Sequence, residues 1–262
     1  MDFERVLFAT NVIAIGAILI RFSFHGLYRT YKSLFLYLIV SVVVGIAGIS
    51  VSLRSAAYQY IYFSGQTARL MVALFVVVEL YRLALAAYPA VAAFGRWGAV
   101  YSVVVAGVIA FAGVPLDARA RPGHDPVVQR FLTFERTLDL GVLVFLLLLC
   151  ALILWFPVRI RRNIVLWIAG FTVFDLSGAV ALLLENLLPM RYFLLTGKIS
   201  MTIALTAFLA WLFGLSPEEQ DPLTVVGHRW NPDAWEHLTH QLDAINSVLS
   251  RFVRSANRKT SF

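Results

Sequence analysis

Ionisable side chains inside long apolar runs are the residues of this chain that could do chemistry. Glu79 and Arg82 interrupt the run FVVVELYRLALAAYP at residues 75–89, and Arg69 precedes them in the same apolar segment. Such groups are costly in hydrocarbon and usually face a protein interior, where they relay protons, bind a ligand or form part of a switch. Glu79, Arg82 and Arg69 are therefore candidates for a binding site or a switch.

The spacing of these charges restricts their depth in a membrane. Only nine residues, LMVALFVVV, separate Arg69 from Glu79, which is about 15 Å of helix and half of a hydrocarbon core. At least one of the two must therefore lie within the core or at its edge. Arg82 follows Glu79 on the same helical face and could neutralise it near the membrane surface. The alternative is that Glu79 faces the bundle interior and belongs to a proton path or a ligand pocket.

Three more ionisable residues lie in later apolar segments. Asp175, in FTVFDLSGAV, is near the middle of its segment. An ionised carboxylate there costs at least ~2.5 kcal/mol, so we expect Asp175 to be protonated or paired. Glu185 is near the end of one segment and Lys198 is near the start of the next, so we expect both on the same side of the membrane. The sequence therefore predicts either a structural Lys198–Glu185 ion pair or a site in which Lys198 reaches Asp175.

Signatures of cofactors and of soluble enzymes are missing from the sequence. A lysine in the last apolar segment raises the question of retinal attachment, but Leu194 occupies the position where microbial rhodopsins have an aspartate. His237 and His240 lack a third ligand, and we expect them to be exposed rather than bound to a metal. Nucleophile elbows, H-E-x-x-H motifs and phosphate loops are also absent. We expect no cofactor, no metal and no enzymatic activity.

The long apolar segments that contain these ionisable residues indicate a membrane protein. The 262 residues are 60% hydrophobic and 14% charged, whereas soluble domains have about 25% charged residues. Continuous apolar runs long enough to cross a bilayer predict helices rather than barrel strands. We predict an all-α membrane protein, a seven-transmembrane-helix bundle over residues 1–216 with a C-terminal amphipathic helix. The seven predicted segments are 6–23, 34–53, 61–85, 97–116, 137–156, 163–187 and 193–214.

Basic residues and loops suggest an orientation. The net charge of +7 comes largely from arginines in short loops, which is typical of contact with lipid headgroups rather than with nucleic acid. The dense turn VRIRR at residues 158–162 favours a cytoplasmic position for that side, with the N-terminus outside and the C-terminus in the cytoplasm. Pro122, Gly123 and Pro126 predict a loop between the fourth and fifth segments.

The C-terminal region is a different kind of sequence. A polar linker, residues 217–230, precedes Asn231 and Pro232, which suit the cap and the first position of a helix. Apolar residues then recur at heptad spacing over nearly three heptads. They are Trp235, Leu238, Leu242, Ile245, Leu249 and Phe252. This tail helix, within residues 231–262, is predicted to pack on the membrane or under the bundle, to form a homodimer, or to dock a membrane-protein partner.

Several stretches resemble one family. They are VELYRLALAAYPAV at 78–91, FERTLDLGVLVFLL at 134–147, the basic turn before the sixth segment, and RWNPDAW at 229–235. They are similar to stretches of an uncharacterised group of seven-helix proteins from acidobacterial genomes. The resemblance covers most of the chain and implies a bacterial inner-membrane protein without an established activity. In layout alone, the chain also resembles the seven-helix input modules of bacterial sensor kinases, although no kinase or cyclase domain follows the tail.

Three functions remain open on these grounds. The first is a non-enzymatic, sensor-like or accessory scaffold module whose tail helix contacts a partner, a second copy or the membrane. The second is a small solute or proton-coupled transporter that uses Asp175, Lys198 and Glu79. The third is a structural subunit of a larger membrane complex. A polar cavity that leads to Asp175 would favour transport, and a closed bundle with a projecting tail would favour signalling or scaffolding.

Overall fold

The computed structural model describes residues 3–51, 55–86, 126–155, 158–187, 193–217 and 223–226, together with scattered positions from 236 to 251. It contains six long helices: α1 (Phe3–Phe24), α2 (Lys32–Ser50), α3 (Ala56–Ala84), α4 (Pro126–Trp155), α5 (Arg162–Leu187) and α6 (Phe193–Gly214). A short 3-10 helix, Leu27–Arg29, joins α1 to α2, and two short strands, β1 (Val158–Arg161) and β2 (Leu223–Val226), pair antiparallel. The predicted helical architecture is confirmed for these residues.

Each of the six helices contains a span that is long and apolar enough to cross a membrane. These helices correspond to six of the seven predicted segments. The predicted fourth segment, residues 97–116, lies outside the described residues, as do Pro122 and Gly123 of the predicted loop. The described part of the chain is therefore compatible with a multi-pass membrane protein.

The six helices form a closed ring. Each packs against its neighbours in the order α1, α2, α3, α4, α5, α6 and back to α1. Neighbours α1 and α2 are antiparallel, because Gly45 of α2 lies against Val12 while Phe35 stacks on Phe22 at a ring-centroid distance of 6.0 Å. Close helix approach at small residues is typical of packing in lipid, where apolar burial alone does not drive helix association.

Helices α3 and α4 are parallel neighbours in the ring. Gln66 of α3 hydrogen-bonds to Glu135 of α4, and further along both helices Tyr81 packs on Phe145 with ring centroids 5.4 Å apart. The bundle therefore has two distinct ends. At one end of the bundle, α1, α3, α4 and α6 finish and α2 and α5 begin. We call this the capped end, and the opposite end the open end.

Two elements differ from the predicted boundaries. Helix α4 begins at Pro126, which was predicted to lie in a loop; proline is well suited to a first helical position, because the N–H that it lacks has no partner there. The basic turn forms β1, which pairs with β2 inside the predicted linker 217–230, with Val158 opposite Val226 and Arg161 opposite Leu223. This strand pair joins the α4–α5 connection to the chain after α6.

Aromatic side chains fill the ring near the capped end. Trp167 of α5 is fully buried and lies 4.5 Å from the Trp211 ring and 5.9 Å from the Phe22 ring, measured between centroids. Trp211 Nε1 donates a 2.9 Å hydrogen bond to the Leu166 carbonyl oxygen. A Cβ atom on Gly170 would collide with the indole of Trp211. Gly170 therefore permits the contact between α5 and α6.

We predict that Gly170→Ala destabilises the bundle by about 1–3 kcal/mol, the usual cost of inserting an extra methyl group into a packed core. The matched control is Gly178→Ala on the same helix, because no atom lies within 4 Å of a Cβ built at that position. Thermal unfolding in detergent is the measurement. Equal unfolding temperatures for the two variants would contradict the role given to Gly170.

Candidate functional site

Glu79 lies at the capped end and caps another helix. Its carboxylate accepts hydrogen bonds from the backbone N–H groups of Lys32 (3.0 Å), Ser33 (2.9 Å) and Leu34 (3.3 Å). These are the first N–H groups of α2, which have no acceptor within their own helix. Tyr31, which precedes α2, offers no side-chain cap, and the first turn contains no acidic residue. Glu79 therefore supplies from α3 the negative charge that the start of α2 lacks.

Arg82, the residue expected to neutralise Glu79, is exposed. Both carboxylate oxygens of Glu79 are instead occupied by the backbone of α2. The two residues therefore have different roles. Glu79 joins α2 to α3, whereas Arg82 is part of the exposed basic surface at the capped end.

Two more polar contacts close the capped end. The Arg21 guanidinium of α1 donates to the carbonyl oxygens of Leu212 and Leu215, the latter at 2.8 Å, and so caps the C-terminus of α6. Asn163 of α5 exchanges two hydrogen bonds with the backbone of Ser216, at 2.8 and 2.9 Å. A cation at a helix C-terminus complements the helix dipole. Together with Glu79, these contacts fix five of the six helix ends that meet there.

Arg69 lies at mid-depth in the bundle. Gly65 of α3 lies against Val44 of α2, so Arg69, one turn further on, is level with residues 40–41 of the antiparallel α2. That position is halfway along the span Lys32–Ser50. The Nε atom of Arg69 is buried and has no hydrogen-bond partner among the described residues. A guanidinium group is therefore held near the middle of the helices.

Three carboxyl groups lie within electrostatic range of Arg69. They belong to Glu135 and Asp139 of α4 and to Asp175 of α5. Asp139 is also within range of the other two, and buried oxygens of Glu135 and Asp175 have no hydrogen-bond partner in the described part of the chain. We call these four residues the Arg69 cluster. One guanidinium cannot balance three ionised carboxyl groups in a partly buried site, so protons must supply the remaining neutralisation.

Glu135 and Asp139 are the residues of the cluster that the sequence analysis missed. Their spacing in ERTLD is that of neighbours on one helical face, which is the signal that could have found them. With the fifth segment predicted to begin at residue 137, Glu135 counts as a loop charge and the pairing is lost. The earlier start of α4 at Pro126 places both residues on one helix.

Lys198 lies outside the Arg69 cluster. Phe208 of α6 packs on Phe174 of α5 with ring centroids 6.0 Å apart, so in this antiparallel pair Lys198 is level with residue 184. It is therefore beside the backbone of Glu185 and about 14 Å along the helix axis from Asp175. Lys198 is partly buried, and the side chain of Glu185 lies outside the described residues.

A cavity of about 990 Å³ leads from the open end to Arg69. Arg5, Ser50 and Tyr58, near the open ends of their helices, line one part of it, and Tyr37 with Arg69 lines the inner part. Its walls are largely apolar, and its volume is at the upper limit of the range, about 300–1,000 Å³, that is usual for small-molecule sites. The other polar side chains that line it are Asn11, Ser41, Tyr62 and Gln66. The cavity thus connects the open end with the Arg69 cluster.

Metal ligation and the tail helix add little to this site. Among the described residues, no group of three His, Cys, Asp or Glu side chains could hold a metal ion. The three carboxyl groups of the Arg69 cluster therefore do not form such a group. The apolar heptad residues of the tail, and His237, lie outside the described residues. The tail positions that are described are helical and exposed: Glu236, His240, Gln241, Asp243, Ala244, Ser247, Val248 and Arg251.

We predict that Glu79→Ala lowers the free energy of unfolding by about 1.5–3 kcal/mol, because it removes a charged acceptor from three N–H groups of α2. The control is Arg82→Gln, one turn away and exposed, which should change stability by less than about 0.5 kcal/mol. Thermal or denaturant unfolding measures both. A comparable loss in the two variants would restore the Glu79–Arg82 ion pair as the important contact.

Glu135 should make stability depend on pH. Burial raises the pKa of Glu135 above its ordinary value of 4.5, although hydrogen bonds from Gln66 and Tyr62 and the charge of Arg69 partly oppose the increase. Because the folded pKa is the higher one, this contribution to stability is fully present below the unfolded pKa and is lost as pH rises through the folded pKa. Glu135→Gln should therefore flatten the decline of unfolding temperature with rising pH, and parallel curves would contradict this assignment.

The described geometry thus consists of a closed end, an open end and a cavity between them that reaches buried charges. Its candidate functional residues come from α3, α4 and α5. No family model, curated protein or solved structure matches the chain.

Proposed function

We propose that this chain is a non-enzymatic, multi-pass membrane protein that senses a ligand bound in the cavity beside the Arg69 cluster. The observation that supports the proposal is the one-sided cavity, which leads from the open end to the partly buried side chain of Arg69. The opposite end is closed by the contacts of Glu79, Arg21 and Asn163. A ligand that enters a cavity of this kind can change the charge balance among the helices that surround it.

The helices around the cluster offer a route from ligand to tail. Arg69 belongs to α3, whereas its carboxyl partners belong to α4 and α5. A ligand that draws Arg69 away from these carboxyl groups would alter how α3 packs against α4 and α5. Strand β1 connects α4 to α5 and pairs with β2, which precedes the tail. The tail helix would then present the change to a partner, to a second copy or to the membrane surface.

A proton-coupled transporter is the second candidate. The excess of carboxyl groups over cations in the Arg69 cluster favours it, because carboxyl groups that gain and lose protons are typical of coupled carriers. Asp175 would serve this function together with Asp139. Glu79 and Lys198 would not, since Glu79 is occupied at the start of α2 and Lys198 is level with Glu185. Transport would also require the capped end to open.

We also propose a bacterial inner membrane as the location, with the capped end and the tail in the cytoplasm. Exposed basic residues at the capped end support this orientation; they are Arg29, Lys32, Arg82, Arg161 and Arg162. A bundle of seven crossings is part of the same proposal. Because α3 and α4 are parallel, the chain between them has to return from the capped end to the open end, and the predicted fourth segment, 97–116, would make that crossing.

Native mass spectrometry of the purified protein tests the sensing proposal. We expect a small molecule to remain bound to the wild-type protein and to be lost in Ala9→Trp, because Ala9 lines the cavity and a tryptophan there would fill it. The control is Ala68→Trp, at an exposed position of α3 that does not line the cavity; this variant should retain the molecule. Equal retention in both variants, or a wild-type protein that carries no bound molecule, would overturn the proposal.

Proteoliposomes with an internal pH-sensitive dye separate the two candidates. A sensor should leave the internal pH unchanged when a proton gradient is imposed. Proton influx that is abolished by Asp175→Asn would instead establish the transporter.

A further inference from the structure

The charged residues that line the cavity all have the same sign. Among its described lining residues, those with a formal charge are Arg5 and Arg69, and none is a carboxylate. Glu135, Asp139 and Asp175 do not line the cavity, although all three are within electrostatic range of Arg69. A molecule in the cavity therefore meets positive charge first, with the carboxyl groups behind the guanidinium.

Hydrogen-bond donors are concentrated at the inner end of the cavity. Arg69 Nε is buried without a partner among the described residues, and an unsatisfied buried donor on a charged group is costly. Tyr37, Ser41 and Gln66 line the same region and carry further donors. An oxyanion at this position would receive a hydrogen bond from Arg69 and would find hydroxyl and amide groups around it.

The walls between the inner end and the open end are mainly apolar. Helix α1 contributes Phe8, Val12 and Ile15, and helices α2 and α3 contribute Val44 and Ile61. An inorganic anion would leave this surface uncovered, whereas an alkyl chain attached to the anion would bury it, at about 0.8 kcal/mol for each methylene group.

We infer that the cavity binds a single-chain amphiphilic anion, with its oxyanion on Arg69 and its chain along the apolar walls toward the open end. This inference rests on the proposed ligand-binding function and specifies the chemical class of the ligand. The same chemistry occurs in membrane-derived fatty acids and in soluble amphiphilic acids, so the ligand can enter from the lipid or from water.

Binding of the anion is coupled to protons. Ionised carboxyl groups behind Arg69 compete with the ligand for the guanidinium, so the anion binds more tightly when they are protonated. The ionisable groups that face Arg69 are Tyr37 on α2, Tyr62 on its own helix, Glu135 and Asp139 on α4, and Asp175 on α5. Affinity should therefore increase as pH falls.

Binding of octanesulfonate to the full chain in phosphatidylcholine nanodiscs tests the inference, because a sulfonate keeps its charge throughout the accessible pH range. We expect octanesulfonate to bind the wild-type protein at least about tenfold more tightly than octyltrimethylammonium or methanesulfonate, since only octanesulfonate combines a chain with an anion. Arg69→Gln should remove this preference for the anionic probe. Arg82→Gln, which changes an exposed arginine of the same helix, should retain it.

Three further measurements complete the test. Lowering the pH from about 8 to about 5 should strengthen octanesulfonate binding to the wild-type protein, and Asp139→Asn should reduce that dependence. If Arg69→Gln fails to fold, the preference of the wild-type protein between the two octyl probes decides the question. Probe supplied in the lipid and probe supplied in the buffer, compared by binding rate, distinguish the two sources of the ligand.

The outcomes separate this inference from the proposed function. Equal binding of the sulfonate and the ammonium probe, or tighter binding of the ammonium probe, would overturn the anion inference while leaving a ligand-binding cavity in place. Equal binding of methanesulfonate and octanesulfonate would show that the apolar walls have no role. If neither octyl probe binds and native mass spectrometry finds no bound molecule, both the inference and the proposed function are wrong.

Discussion

The hydrogen bonds between the Glu79 carboxylate and the first turn of α2 determine the depth of everything else on α3. They fix one end of α3 at the capped end of the bundle, where α2 begins. Ten residues earlier on a rigid helix, Arg69 then has to lie about 15 Å deeper, near the middle of the span. Glu79, which caps the neighbouring helix α2, thus helps to determine the depth of Arg69. The contact that stabilises the start of α2 therefore also helps to set the depth of the candidate site.

The two ends of the bundle differ in how their polar groups are satisfied. At the capped end, side chains from one helix meet the unpaired backbone groups of another, as Arg21 and Asn163 do for the end of α6. Such contacts replace water and leave little space. Toward the open end, the helices instead enclose a cavity, and Arg69 with its carboxyl neighbours lies where the closed half meets the cavity. That boundary is where a ligand would have the greatest effect on helix packing.

The features that could be predicted from the sequence are those that depend on local pattern. Apolar runs identified the helices, and the nine residues between Arg69 and Glu79 predicted that at least one of these charges lies near or inside a hydrocarbon core. The partner of Glu79 could not be predicted, because it is the backbone of a segment 46 residues away, and backbone N–H groups carry no sequence signal. Glu135 was missed for a different reason, and with it the neighbour that would have pointed to Asp139. A helix boundary placed eleven residues too late, at 137 instead of 126, separated Asp139 from Glu135.

The order of the helices along the chain has a consequence for the synthesis of the protein. Helices α1, α2 and α3 can assemble as soon as they are made, because Glu79 needs only the start of α2. Arg69 is then already at mid-depth, but its carboxyl neighbours lie on α4 and α5, which are still to be translated. In a partly made chain, Arg69 therefore lacks the carboxyl groups that lie near it in the finished bundle. The carboxyl groups reach Arg69 only when α4 and α5 have been made, and the ring closes later still, when α6 packs on α1 and Arg21 meets Leu212 and Leu215.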